Sequence, residues 1–208
     1  MPTMTDGTFV CPTPQYHETH RYCPNCDWTE QKASEDAARR LLQQTTGWKE
    51  DDHGRDTPKR FAAMLRELTT PQEFEFTTFP TDDQDMVIVK DIPFVSVCNH
   101  HVIPFVGYAW VGYIPDDRMV GLSKISRLVH YHAHQLQVQE RLTRQIAQDL
   151  CERLNPLGVM VVMEAEHMCM TIRGVQTPGT KTITSRVEGV FADHDRTAKD
   201  EFLRLIGK

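Results

Sequence analysis

Apolar residues recur at every third or fourth position in parts of this chain and alternate or run together in the rest. From Ser34 to Gln44 the spacing puts Ala37, Ala38, Leu41 and Leu42 on one face, predicting a short helix with Gly47 as its stop. A second helix is expected from Thr57-Pro58, where threonine caps and proline takes the first helical position, with Phe61, Met64, Leu65 and Leu68 turned inward. Pro71–Asp85 is polar and turn-rich and reads as a connection. From Met86 the texture becomes β. Met86–Lys90 and Phe94–Val97 are apolar and β-branched, and the Pro93 between them suits a bulge or a sheet edge. Phe105–Ile114 reads as a long strand closed by the turn Pro115-Asp116-Asp117.

Gly121–Leu154 returns to helical spacing, with Leu122, Ile125, Leu128 and Val129, then Leu142, Ile146 and Leu150. The rhythm breaks at Leu136-Gln137-Val138-Gln139, so two consecutive helices are expected, the second ended by Asn155-Pro156. Gly158–Ala165 and Lys181–Phe191 read as strands, and Thr197–Ile206 as a closing helix. Strand pairs flanking a helical pair imply an antiparallel sheet layered with helices, an α+β domain. The expected organisation is a Cys/His-rich extension over 1–33, helices and a connection over 34–85, and the α+β domain over 86–208.

The 208 residues carry a net charge of −6, which argues against a general nucleic-acid binder and leaves phosphate recognition to a local basic cluster. No apolar run approaches the roughly 20 residues of a membrane helix. The N-terminal MPTMTDGTFV has neither a basic nor an apolar leader region, so a cytoplasmic setting is expected. In that setting the six cysteines favour metal ligation or buried thiols over disulfides. Cys151, between Leu150 and Leu154 on a helix, reads as packing. Met160, Met163, Met168 and Met170 read as core and interface filler.

Two stretches carry soft metal ligands. SVCNHHVIPF, residues 96–105, holds Cys98, His100 and His101, and EAEHMCM, residues 164–170, holds His167 and Cys169. Together they point to one zinc held by Cys98, His101 and Cys169 with an open position, a catalytic arrangement. His100 and His167 each stand beside a proposed ligand. Ser123, Lys124 and Arg127 at a helix start form a candidate polyphosphate site, with Arg173 adding a forked donor. A solvated basic helix face would read the same way. Gln139 and Glu140 could pair with a purine edge, or simply begin a surface helix. In the extension, Cys23 and Cys26 with two of Cys11, His17 and His20 read either as a small second zinc site or as a tail with scattered ligands.

SVCNHHVIPFVG, VGYIPDDRMVGLSKISRLV, LQVQERLTRQIA and EAEHMCMTIRGV closely resemble GTP cyclohydrolase I, from about Thr57 to the C-terminus. The resemblance implies the tunnelling fold, in which four-stranded antiparallel sheets join into a barrel lined outside by helices. It implies a homodecamer of two stacked pentamers with active sites at subunit interfaces, and no nucleic-acid or membrane partner. The implied reaction converts GTP and water into 7,8-dihydroneopterin triphosphate and formate. By motif position, zinc falls on Cys98, His101 and Cys169, and proton transfer on His100 and His167, with Ser123 and Gln139 also in the catalytic set. Ser123, Lys124, Arg127 and Arg173 would hold the triphosphate, Gln139 and Glu140 would read the guanine, and Arg60 would reach the phosphates of a neighbouring subunit. Three departures stand out. Asn99 replaces the family's usual glutamate, Ala63 stands where some members have lysine, and the Cys/His-rich extension has no counterpart. A GTP-binding subunit of the same fold with impaired turnover would carry the same motifs, with Asn99 as its lesion. A nitrile-reducing relative of the same fold would want a free nucleophilic cysteine, and both central cysteines already fit as ligands.

Overall fold

The apolar runs on either side of Pro93 form one strand rather than two. In a computed structural model describing residues 3–5, 8–10, 22–23, 28–193 and 197–208, with side chains from residue 31 onward, strand β1 spans Val87–Cys98 without interruption. Its pairing slips between Val89 and Ile92, where Asp91 adopts a positive φ of 57°. Pro93 sits in the strand on the side where no other strand pairs with it, its carbonyl accepting from His130 Nε2 at 2.9 Å. Trp110 Nε1 donates to Asp91 Oδ1 at 3.1 Å and fixes the bulge.

The chain falls into two compact units, Met1–Glu67 and Leu68–Lys208. In the first, helix α1 runs Glu30–Thr46, longer at both ends than the periodicity indicates, and Gly47 ends it with φ 68°. Helix α2 spans Thr57–Thr69 as expected. It buries Pro58 and Ala62, whereas Met64 is exposed and Phe61, Leu65 and Leu68 are only half-buried. The expected inward face is therefore corrected: at about 100° per residue, Met64 lies on the opposite side of the helix from Ala62. Short ribbons pair Thr3–Thr5 with Thr8–Val10 and Tyr22–Cys23 with Trp28–Thr29. Cys11, His17, His20, Cys26 and the Cys23 side chain, the ligands of the expected second zinc site, lie outside the described residues.

In the second unit β1 pairs with β2 (Pro104–Ile114), and β2 with β4 (Gly158–His167), which pairs with β5 (Lys181–Gly189), all antiparallel. A two-residue strand, β3 (Leu136–Gln137), adds itself parallel to the end of β1, giving the order β5-β4-β2-β1-β3. The expected four-stranded sheet thus gains a fifth, very short member exactly where the helical rhythm breaks. The polar connection before β1 also contributes Thr78–Pro80, which pairs with Arg118–Val120.

One face of the sheet is covered by α3 (Leu122–Ala133) and α4 (Gln139–Leu154). Ile125, Leu128, Val129, Leu142, Ile146 and Leu150 are fully buried there against Phe105, Val111, Val161 and Met163. Asn155 stops α4 in the left-handed conformation. The other face packs Trp110, Met160 and Val162 against Phe191 and against Phe202 of α5 (Thr197–Ile206). Gly112 allows this, since a Cβ there would lie 2.6 Å from the Phe202 ring. Truncating Phe202 to alanine would remove about 3–5 kcal/mol of stability. No helix among the described residues is long and apolar enough to cross a membrane.

Candidate metal centre and nucleotide site

The loop joining β1 to β2 is tight. Cys98 donates its N–H to Ile103 O at 2.9 Å, Val102 returns one to Cys98 O at 2.8 Å, and Val102 takes φ 55°. This turn brings His101 back beside Cys98. The third ligand comes from the opposite neighbour of β2. His167, the last residue of β4, sits across from Phe105, and the chain then makes the single helical turn Met168–Thr171 that carries Cys169. Ligand atoms of Cys98, His101 and Cys169 lie within 4.8 Å of one another, the one such group of three among the described residues.

Two thiols and an imidazole suit zinc. Burial, and then the neighbouring Cys98 thiol, push the Cys169 thiol up, because a thiolate there would lose hydration and stand against a second sulfur. The donor set therefore fits the expected metal. Glu166 anchors the segment after Cys169 at both ends, accepting from Gly179 N–H at 2.9 Å and Thr171 Oγ1 at 3.0 Å, bonds that hold its carboxyl below the usual range. From that segment Arg173 Nη1 donates to His101 Nε2 at 3.1 Å.

His167 is half-buried and its ring stacks on Phe105, with centroids 4.6 Å apart and planes 3° from parallel. Its Nε2 is 2.8 Å from Gln139 Oε1. The other end of that amide faces three acceptors, Met163 O at 3.2 Å, Thr182 O at 3.0 Å and Thr184 Oγ1 at 3.1 Å. They fix which end is nitrogen, so Oε1 must accept, Nε2 of His167 carries the proton, and Nδ1 is left as an acceptor. Burial pushes the imidazole below its ordinary value, opposed by the charge of Glu140. His100 is exposed, with Nδ1 3.8 Å from Cys98 Sγ.

One expectation changes. Gln139 is 1% exposed and its amide is committed within the protein, so it holds His167 instead of presenting an edge to a purine. Glu140, the next residue, is exposed in the first turn of α4 and remains free for that task. The basic cluster lies apart from the ligands within one chain. Ser123, Lys124 and Arg127 do share the first half of α3, but it is the other end of α3 that meets the metal strand, where Ser96 Oγ donates to Ala133 O at 2.6 Å. Nine residues of helix put Lys124 about 14 Å farther along. Val120, just before α3, hydrogen-bonds Tyr113 near the far end of β2. One chain therefore brings together the ligands, His100, His167, Glu140 and Arg173, and leaves Ser123 and Lys124 at the opposite end of α3, with Arg127 at its middle. Arg60, in the Met1–Glu67 unit, is exposed and 3.6 Å from Asp56.

Sequence reading missed Phe105, which orients His167, and Gln137, whose wholly buried amide lies beside the ligand strand. A polar residue in a helix break gave a signal for Gln137, though not for its burial. Cys151 is half-buried and burial pushes its thiol up to about 11, as befits packing. Asn99 is exposed and uses its backbone N–H on Gln137 O at 2.8 Å.

A sequence profile described as GTP cyclohydrolase I matches residues 34–207. GTP cyclohydrolase 1 of Carboxydothermus hydrogenoformans is 49% identical over 175 residues, covering 81% of this chain and 91% of the relative. That of Streptomyces avermitilis is 48% identical over 185 residues, covering 85% and 90%. That of Halalkalibacterium halodurans is 51% identical over 157 residues, covering 73% and 83%. With most of its length matched at about half identity and the ligand cluster assembled, the chain belongs to the GTP cyclohydrolase I family.

Proposed function

We propose that the chain hydrolyses GTP to 7,8-dihydroneopterin triphosphate and formate, using zinc on Cys98, His101 and Cys169. The observation that carries this reading is the convergence of those three ligands beside a histidine whose tautomer is fixed. Zinc, when bound there, supplies the Lewis acidity that lets a water lose its proton near neutral pH. Nδ1 of His167 takes up a proton as water adds to the guanine imidazole ring at C8 and returns it to a ring nitrogen as that ring opens. Stacking on Phe105 and the bond to Gln139 hold that imidazole in one orientation, so no rotation competes with transfer. His100, exposed at the rim, exchanges protons with solvent. Glu140 accepts from the guanine N–H groups. Arg173 grips the triphosphate, which does not react, so its binding energy serves to position the purine.

Ser123, Lys124 and Arg127 reach that triphosphate from a second copy of the chain, with Arg60 contributed likewise. Support comes from the length of α3, which holds the two groups apart within one chain. It also comes from β5, a sheet edge, and from Val95, Val106, Tyr108 and Ile183, which leave part of the sheet face apolar and open. Edge-to-edge joining of such sheets gives the tunnelling-fold barrel, and two stacked rings of five give the decamer. The loop-anchoring contact of Asn99 is made by its backbone and survives the change of side chain, which weighs against a silent binding subunit. Incubation of the purified protein with GTP, followed by oxidation and dephosphorylation, should yield a fluorescent pterin and formate in equal amounts. GTP binding without pterin would leave the impaired-subunit reading instead.

A further inference from the structure

Arg141 plays no part in the site described above, yet it reaches back toward the ligand strand. We propose that Arg141 and Gln137 form a brace that positions the metal loop and sets its affinity for zinc. The inference rests on the zinc reading of Cys98, His101 and Cys169.

Strand β3 is only two residues long, and its pairing to Val97 and Cys98 would be marginal alone. It nevertheless carries the loop, because Asn99, between the two ligands, donates its N–H to Gln137 O at 2.8 Å. What holds β3 is side-chain bonding. The Gln137 side chain is 0% exposed, with Nε2 donating to His132 O at 2.9 Å and to Gln145 Oε1 at 2.7 Å. Its Oε1 accepts from Arg141 Nε at 2.8 Å, and Arg141 Nη2 donates to Leu136 O. One guanidinium thus clamps both residues of β3, a task for a planar fork that an ammonium cannot duplicate. Two residues farther along, Gln139 holds His167. Leu136–Arg141 is therefore a single keystone for the metal loop and the proton carrier. Metal sites depend on such outer contacts, whose loss typically costs about 10–100-fold in metal affinity.

The test is zinc competition against a chromophoric chelator, with full-length parent, Arg141→Met, Arg141→Lys and Cys98→Ser. The Cys98→Ser protein reports any zinc taken by the N-terminal Cys/His segment, and its titration is subtracted. Parent protein should bind one zinc more than Cys98→Ser. Arg141→Met should hold that zinc about 10–100-fold more weakly. Arg141→Lys, able to reach one acceptor of the two, should fall between. A merely structural arginine would lower the melting temperature of the metal-free protein and leave zinc affinity untouched. Parent-like affinity in Arg141→Met overturns the brace and spares the zinc reading. Equal zinc in parent and Cys98→Ser overturns both. Should Arg141→Met not fold, Arg141→Lys decides, since parent-like affinity there removes the need for a fork.

Discussion

The Nε2–H of His167 donates to Oε1 of Gln139 across 2.8 Å, and the nitrogen of that amide is turned into the sheet. Gln139 thus acts on the reaction through His167. Gln139→Leu should lower kcat by on the order of 100-fold, the scale of a misplaced reacting group, and leave KM for GTP within about twofold. Steady-state kinetics separates the two constants. A raised KM with kcat preserved would return Gln139 to the substrate.

If α3 divides the site between copies, complementation follows. His167→Ala should retain zinc and GTP yet lose product formation by about 100-fold or more, the usual scale of general acid–base catalysis. Lys124→Ala should weaken GTP binding by about 1.5–3 kcal/mol, one charged hydrogen bond. Each homogeneous protein is impaired. Unfolded together and refolded as mixed oligomers, the two should recover about a quarter of parental activity, from random interfaces that unite an intact His167 with an intact Lys124. No recovery in verified mixed oligomers would place both groups in one chain's site.

Arg173 bears on metal binding. Its Nη1 donates to Nε2 of His101, which requires a lone pair on that nitrogen. A metal on Nε2 takes the lone pair, and a metal on Nδ1 leaves the ring proton on Nε2, so either mode expels the guanidinium. Zinc loading should therefore free Arg173 for phosphate. Inorganic tripolyphosphate, which has no purine, should bind the zinc-loaded and dialysed protein more tightly than the stripped protein by calorimetry. Arg173→Ala should abolish the difference, and a difference that persists in that variant would assign it to the metal alone.

Asp149 links α4 to α3, accepting from His132 Nε2 at 2.8 Å and from Arg153. Burial pushes its carboxyl up, but the bonds from His132 and Arg153 outweigh burial and hold it below the usual carboxylate value. The unfolded chain therefore takes up this proton first as pH falls. The stabilisation is fully present above about pH 4 and is lost on acidification through the lower folded value. Asp149→Asn should melt lower than the parent at pH 7 and show a shallower fall in melting temperature between about pH 5 and 3. Parallel acid limbs for the two proteins would show that Asp149 contributes nothing to acid sensitivity.

The helices and strands were legible because burial follows periodicity on both faces, as Leu142, Ile146 and Leu150 illustrate. The ligands were legible because Cys98 and His101 share one tight loop. Gln139 was not, since the acceptors that claim its amide, Thr182 and Thr184, lie more than forty residues downstream. The separation of the basic cluster from the ligands within one chain was hidden for a different reason. Ser123 and Ala133 are neighbours in sequence, but a helix converts that short interval into the length of a small domain wall.

If sites are shared between copies, that length has a consequence for assemblies in which intact and damaged chains mix. Where α3 lends its basic end to one site while its chain's own ligands serve another, every chain is a shareholder in two active sites. A copy defective at both ends silences both. Assemblies mixing intact and faulty chains would then lose activity faster than the fraction of faulty chains, because each fault would be felt at two sites.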